Sequence, residues 1–129
     1  MPDSLLPRDG LVIVAKRDCP TCVLVEPVMQ SLDRAGPLMV LSQDDPTFPS
    51  GVRSVIYDDS LERSFHLKIE AVPTVIRFQG GREIERAVGW DRAEWLKIAR
   101  CRGTVVLIPS TRNSAKARCM HSIASVRVA

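Results

Sequence analysis

Residues 11–22 read "LVIVAKRDCPTC", and the fold of this chain turns on how those letters divide. Leu11 to Ala15 form a short apolar run rich in β-branched Val and Ile, bounded by Gly10 and by Lys16-Arg17-Asp18. That pattern predicts a buried strand. Pro20 suits the first position of a helix, where its missing N–H costs nothing. Leu24, Val28 and Leu32 then recur at i+4 until Gly36, so Cys19 and Cys22 fall at a strand-to-helix junction. Pro27 lies inside that helix and predicts a bend in it.

Downstream, "PLMVLS" (37–42) predicts a second buried strand, parallel to the first through a β-α-β unit. "QDDPTFPSG" (43–51) is turn chemistry and is expected as an exposed loop, with a short strand in Val52 to Tyr57. Asp59 and Glu62 have the spacing of a capping box, opening a short helix with Leu61, Phe65 and Leu67 inward. "TVIRF" and "REIERAV", separated by Gln79-Gly80-Gly81, predict an antiparallel hairpin. Asp91 with Glu94 opens a last helix that buries Trp95, Leu96, Ile98 and Ala99. This order is α/β: a mixed sheet with helices to cover both faces.

The 129 residues fit one domain. Apolar content of 45% and charged content of 26% are those of a globular chain. The longest apolar runs, Leu11 to Ala15 and Val105 to Ile108, fall far short of the roughly 20 residues that cross a bilayer. "MPDSLLPRDG" has neither the basic nor the apolar region of a secretory signal, so a reducing, cytoplasmic setting is expected. There, four cysteines argue against a structural disulfide framework. Residues 1–99 hold 12 Lys+Arg against 15 Asp+Glu, whereas 100–129 hold 6 basic residues and no acid. The domain is therefore placed at 1–99, and 100–129 reads as a basic C-terminal tail with no place in the sheet. Lacking a helical basic stripe and interleaved aromatics, that tail argues against nucleic-acid binding.

Disulfide exchange needs a thiolate nucleophile, a second thiol to resolve the mixed disulfide, and room for a partner's sulfur. A C-x-x-C pair at a strand-to-helix junction supplies all three. Cys19 at the helix start is the nucleophile, since unpaired N–H groups and the positive end of the dipole favour a thiolate there. Cys22, one turn on and nearer the buried side, resolves. Lys16 and Arg17 help the thiolate and Asp18 opposes them. Two plainer readings stand beside this one. A zinc site needs further ligands from Cys101, Cys119, His66 or His121, none of which forms a second C-x-x-C. Simple buried packing of both cysteines is the other. No metal or other cofactor is expected. Glu26 reads as an exposed helix residue, His66 as ordinary partial burial, and Trp90 as a residue bordering the site.

Taken together, these residues resemble the thioredoxin superfamily over most of residues 10–99. The likeness is carried by "LVIVAKRDCPTC", by Pro27 five residues after Cys22, and by "LKIEAVPTVIRFQGGREIERAVGW" with its hairpin and Gly89. It implies a thioredoxin-like fold and a thiol–disulfide oxidoreductase acting on protein or glutathione disulfides, recharged by an electron-donor reductase. It further implies a cis Val72–Pro73 bond packed beside the cysteines, with Val72 free to pair with a bound peptide and Thr74 adjoining. Cys-Pro-x-Cys, with Lys16 three residues before Cys19, is similar to glutaredoxins, where that basic residue meets a carboxylate of glutathione. Three features depart from thioredoxins. Asp18 stands in place of a tryptophan, Ile13 in place of a buried aspartate, and the family's N-terminal β-α extension is missing. A non-catalytic module that senses redox state or docks to a partner through the same groove is the alternative.

Overall fold

Strand β1, Gly10–Ala15, is buried at every position, which is why it reads as an unbroken apolar run. It is the middle strand of the sheet. The computed structural model describes residues 7–99 of the chain. After β1 come α1 (Pro20–Leu24), α2 (Glu26–Ala35), β2 (Leu38–Ser42), β3 (Val55–Tyr57), α3 (Glu62–His66), β4 (Thr74–Gln79), β5 (Arg82–Val88) and α4 (Arg92–Ala99). The five strands lie in the order β3-β2-β1-β4-β5. β1 pairs with β2, and β2 with β3, in parallel; β1 with β4, and β4 with β5, pair antiparallel. The sheet is therefore mixed.

Alternation along β1 assigns the two faces. Leu11, Ile13 and Ala15 join Cys22, Val28, Met29, Trp95 and Leu96 in one cluster, covered by α1, α2 and α4. Val12 and Val14 join Leu41, Leu67, Ile76 and Phe78 in the other, beside α3. Pro27 divides the helix that follows the cysteines, as expected: α1 ends at Leu24 and α2 resumes at Glu26. Hydrogen bonds still cross the joint, from Val25 N–H to Thr21 O (3.1 Å) and Met29 N–H to Val25 O (3.0 Å). At the hairpin, Gly80 (φ 62) and Gly81 (φ 80) supply the two positive φ values of a type I′ turn. Asp91 caps α4 through its Oδ1 and the Glu94 N–H (3.2 Å). Arg77, buried in β4, donates to the Ile98 and Ala99 carbonyls at the other end of α4, where a cation opposes the negative end of the helix.

Four expectations need correction. The 43–51 loop is not simply exposed, because Phe48 is only 3% exposed and packs into the core. The crossover from β2 to edge strand β3 uses this aromatic anchor in place of a helix. Helix α3 is capped by Asp58 rather than Asp59: the buried Asp58 carboxylate accepts from the Arg63 N–H (3.1 Å) and from the Ser64 N–H (2.8 Å) and hydroxyl (2.7 Å). With that register, Leu67 and Ser64 face inward while Leu61 and Phe65 face out, Phe65 being 85% exposed. His66 is exposed as well. The proposed tail 100–129, with Cys101, Cys119 and His121, lies outside the described residues. No helix among the described residues is long and apolar enough to cross a membrane.

Candidate active site

Because β1 and β2 run parallel and stay paired to their ends (Ala15 opposite Ser42), their C-terminal exits leave side by side. The Gln43 N–H extends the ladder by donating to the Ala15 carbonyl at 3.0 Å. Beyond that point the Asp44 carboxylate accepts from two consecutive backbone amides, Arg17 N–H (2.7 Å) and Asp18 N–H (2.9 Å). The neighbouring Asp45 accepts from the Thr47 hydroxyl (2.6 Å) and N–H (2.8 Å) and pairs with the Arg17 guanidinium (3.3 Å). Those bonds, the Thr47 hydroxyl first, hold its carboxyl below the usual range. The segment leading to Cys19 is thereby clasped from the β2 side.

Cys19 is the residue preceding α1, with extended backbone (φ −156°, ψ 108°), and its Sγ accepts from the Cys22 N–H at 3.2 Å. Its thiol points to the Val72 carbonyl at 3.9 Å. Cys19 is partly exposed and Cys22 wholly buried, neither is in a disulfide, and the two are 2.8 Å apart. Burial pushes the Cys22 thiol up from 9.0 to about 12, and its hydrogen bond with Cys19 acts in the same direction. The Lys16 backbone N–H and side-chain charge pull the other way and are outweighed. Ile13 lies in the same buried cluster as Cys22, so β1 adds an alkyl side chain to the surroundings of that thiol and no group that could take up its proton.

The remaining sequence-predicted residues divide into two groups. Val72 comes to the cysteines, its carbonyl 3.9 Å from the Cys19 sulfur, and packs against both clusters; its bond to Pro73 is cis, and the Pro73 carbonyl accepts from the Gly89 N–H at 2.7 Å. Trp90 joins the same cluster as Cys19 and Val72 and meets Trp95 edge-to-face at 5.1 Å. Thr74 and Glu26 turn elsewhere. Thr74 is buried, with its hydroxyl donated to the Ala71 carbonyl (2.6 Å), and the Glu26 carboxylate accepts from the Ser50 N–H (2.8 Å). Lys16 is half-buried, and its electrostatic influence falls on Cys22. A depression of about 260 Å³ flanks α1, lined by Arg17, Val23, Glu26, Thr47, Phe48 and Ser50. Among the described residues no group of three or more His, Cys, Asp or Glu is placed to hold a metal ion.

Sequence reasoning missed Asp44. The signal was the acid pair directly after the second strand: when two parallel strands end level, the segments leaving them emerge side by side and can bond to each other.

No protein-family model and no curated protein matches the sequence. Among solved structures the chain is similar to the thioredoxin of Aeropyrum pernix, at 20% identity and a TM-score of 0.52, covering 78% of this chain and 77% of that one. It is similar also to the thioredoxin of Malassezia sympodialis, at 20% identity and a TM-score of 0.51, covering 77% of this chain and 80% of that one. With a mixed five-stranded sheet and a cysteine pair at the start of a kinked helix, this chain has the thioredoxin-like fold.

Proposed function

We propose that this protein is a thiol–disulfide oxidoreductase that works through Cys19 and Cys22. The Cys19 thiolate attacks one sulfur of a substrate disulfide, the S–S bond breaks, and the departing sulfur keeps the electron pair and takes up a proton. Cys22 then gives up its proton and attacks the Cys19 sulfur, releasing the second substrate thiol and closing a Cys19–Cys22 disulfide. The substrate has gained two electrons and the pair has lost two, which an electron-donor reductase must return. The observation that carries this reading is the Cys22 N–H donated to the Sγ of a partly exposed Cys19 at 3.2 Å. That bond holds the reachable sulfur at the helix start, one turn from the second thiol, the placement that disulfide exchange needs.

Substrates in this reading are protein or glutathione disulfides in a reducing, cytoplasmic setting. Val72 and Pro73 form the platform on which a peptide lies as an added strand, which the closeness of the Val72 carbonyl to Cys19 supports. Lys16 aids electrostatically, and Thr74 shapes the platform through Ala71 without touching substrate. The test is reduction of a small disulfide: wild type turns over, Cys19→Ser falls to the uncatalysed rate, and Cys22→Ser accumulates a mixed disulfide on Cys19. Failure of Cys22→Ser to trap any partner sinks the exchange mechanism.

A second reading, a redox-sensing or docking module without turnover, draws support from Cys22, whose burial disfavours the resolving thiolate. A mixed disulfide that persists in wild type, with no repeated turnover, selects it. In either case the working unit is residues 1–99 and the basic segment 100–129 is an appendage, a division supported by the closure of α4 on Arg77. Deleting residues 101–129 is expected to leave cooperative unfolding and thiol exchange in place; loss of either puts the segment inside the domain.

A further inference from the structure

We infer that Asp44 is a positioning residue for the nucleophile and that its clasp selectively stabilises the reduced pair. The inference rests on the exchange reading above. The two amides that the Asp44 carboxylate binds, at 2.7 Å and 2.9 Å, belong to Arg17 and Asp18, the residues directly ahead of Cys19. Each carboxylate oxygen takes one amide, so the Lys16–Arg17 and Arg17–Asp18 peptide planes, the two that precede the Asp18–Cys19 peptide, are set. Cys19 then continues in the extended conformation that points its Sγ at the Cys22 N–H.

The clasp is itself held in place. Gln43 continues the β1 ladder, the Ser42 hydroxyl donates to the Asp45 carbonyl at 2.6 Å, and Asp45 holds Thr47. Asp44 thus reaches across from a braced loop, with an exposed side chain whose replacement leaves the core intact. In the dithiol, the orientation of Cys19 depends on these non-covalent ties. In the disulfide, the bond to Cys22 fixes it covalently and the clasp adds less. Removing the clasp therefore weakens the reduced form relative to the oxidised one, and the couple becomes more reducing.

The experiment equilibrates the full-length protein with glutathione. Cys19 and Cys22 together give two electrons and two protons to one glutathione disulfide, yielding the intramolecular disulfide and two glutathione thiols. Asp44→Ala is expected to shift that equilibrium constant about tenfold toward the protein disulfide, about 30 mV more negative. Asp44→Asn, which keeps one acceptor oxygen, is expected to shift it by about threefold, roughly half the free energy. Asp45→Asn removes a neighbouring charge but keeps the Oδ1 that holds Thr47, so the brace survives and the variant is the control, expected to stay near wild type. A wild type that never equilibrates overturns the exchange reading itself. A wild type that equilibrates normally, with Asp44→Ala and Asp44→Asn unshifted or Asp45→Asn shifted as far, overturns the role of Asp44 alone. Should Asp44→Ala fail to fold, the near-isosteric Asp44→Asn carries the decision.

Discussion

Two irregular segments flank Cys19, and they spend their polar groups differently. On the β2 side, residues 43–51 are tied inward: Asp44 holds Arg17 and Asp18, Asp45 holds Thr47, and Ser50 takes both Glu26 and Gln30. On the β4 side, residues 70–73 make their ties behind themselves, from Thr74 to Ala71 and from Gly89 to Pro73. The Val72 carbonyl there has the Cys19 thiol at 3.9 Å. One segment grips the chain ahead of Cys19 and the other borders its thiol. In the proposed exchange a substrate strand pairs on the second side, so the first is where rigidity does most.

The largest way to break this contrast is to unseat the gripping loop. Phe48 anchors it in the core, and Phe48→Ala is expected to cost about 3–5 kcal/mol, the usual range for deleting a buried aromatic. Val72, only partly buried, is expected to lose about 1 kcal/mol on Val72→Ala, for the two methyl groups removed. Urea unfolding of the two variants measures both. Equal losses would mean that the two segments are anchored alike.

Much of this architecture is legible in the sequence, and the exceptions share a cause. The apolar run before the cysteines, the kink at Pro27 and the Gly80-Gly81 turn are local signals, each acting through its own backbone. Phe48 reads as loop because a turn-rich segment says nothing of the surface beneath it, and only the packed sheet supplies the cavity it fills. The Asp59–Glu62 spacing is present, but the Asp58 N–H is taken by the Ser42 carbonyl at 2.7 Å as the chain leaves β3. That bond turns Asp58, not Asp59, toward a helix that starts only at Glu62, with Phe65 outward. Of the site, the cysteines and Val72 are readable from spacing and likeness. Asp44 depends on strand ends that meet only in the fold.

Beneath both segments, Cys22 offers a pH test that sharpens the contrast between a reachable and an enclosed thiol. Its folded value, about 12, is raised above 9.0, so its contribution to stability is complete below pH 9 and is lost as the pH climbs toward 12. Wild type is expected to lose up to about 1.4 kcal/mol per pH unit in that window relative to Cys22→Ala. Parallel denaturation curves for the two proteins from pH 9 to 11 would show that Cys22 ionises as freely folded as unfolded.

The smallest effect is the most discriminating about how the grip works. Arg17 joins the clasp twice, through its backbone N–H to Asp44 and through its guanidinium to Asp45. The guanidinium side chain is 62% exposed, and an ion pair so open to water is worth at most about 0.5 kcal/mol and is screened further by salt. Arg17→Ala keeps the backbone amide. It is therefore expected to change stability by no more than that amount and to lose even this difference at high ionic strength. A larger, salt-sensitive loss would relocate the grip from the peptide backbone to surface charge, and the asymmetry between the two segments would then depend on ionic strength instead of being built into the chain path.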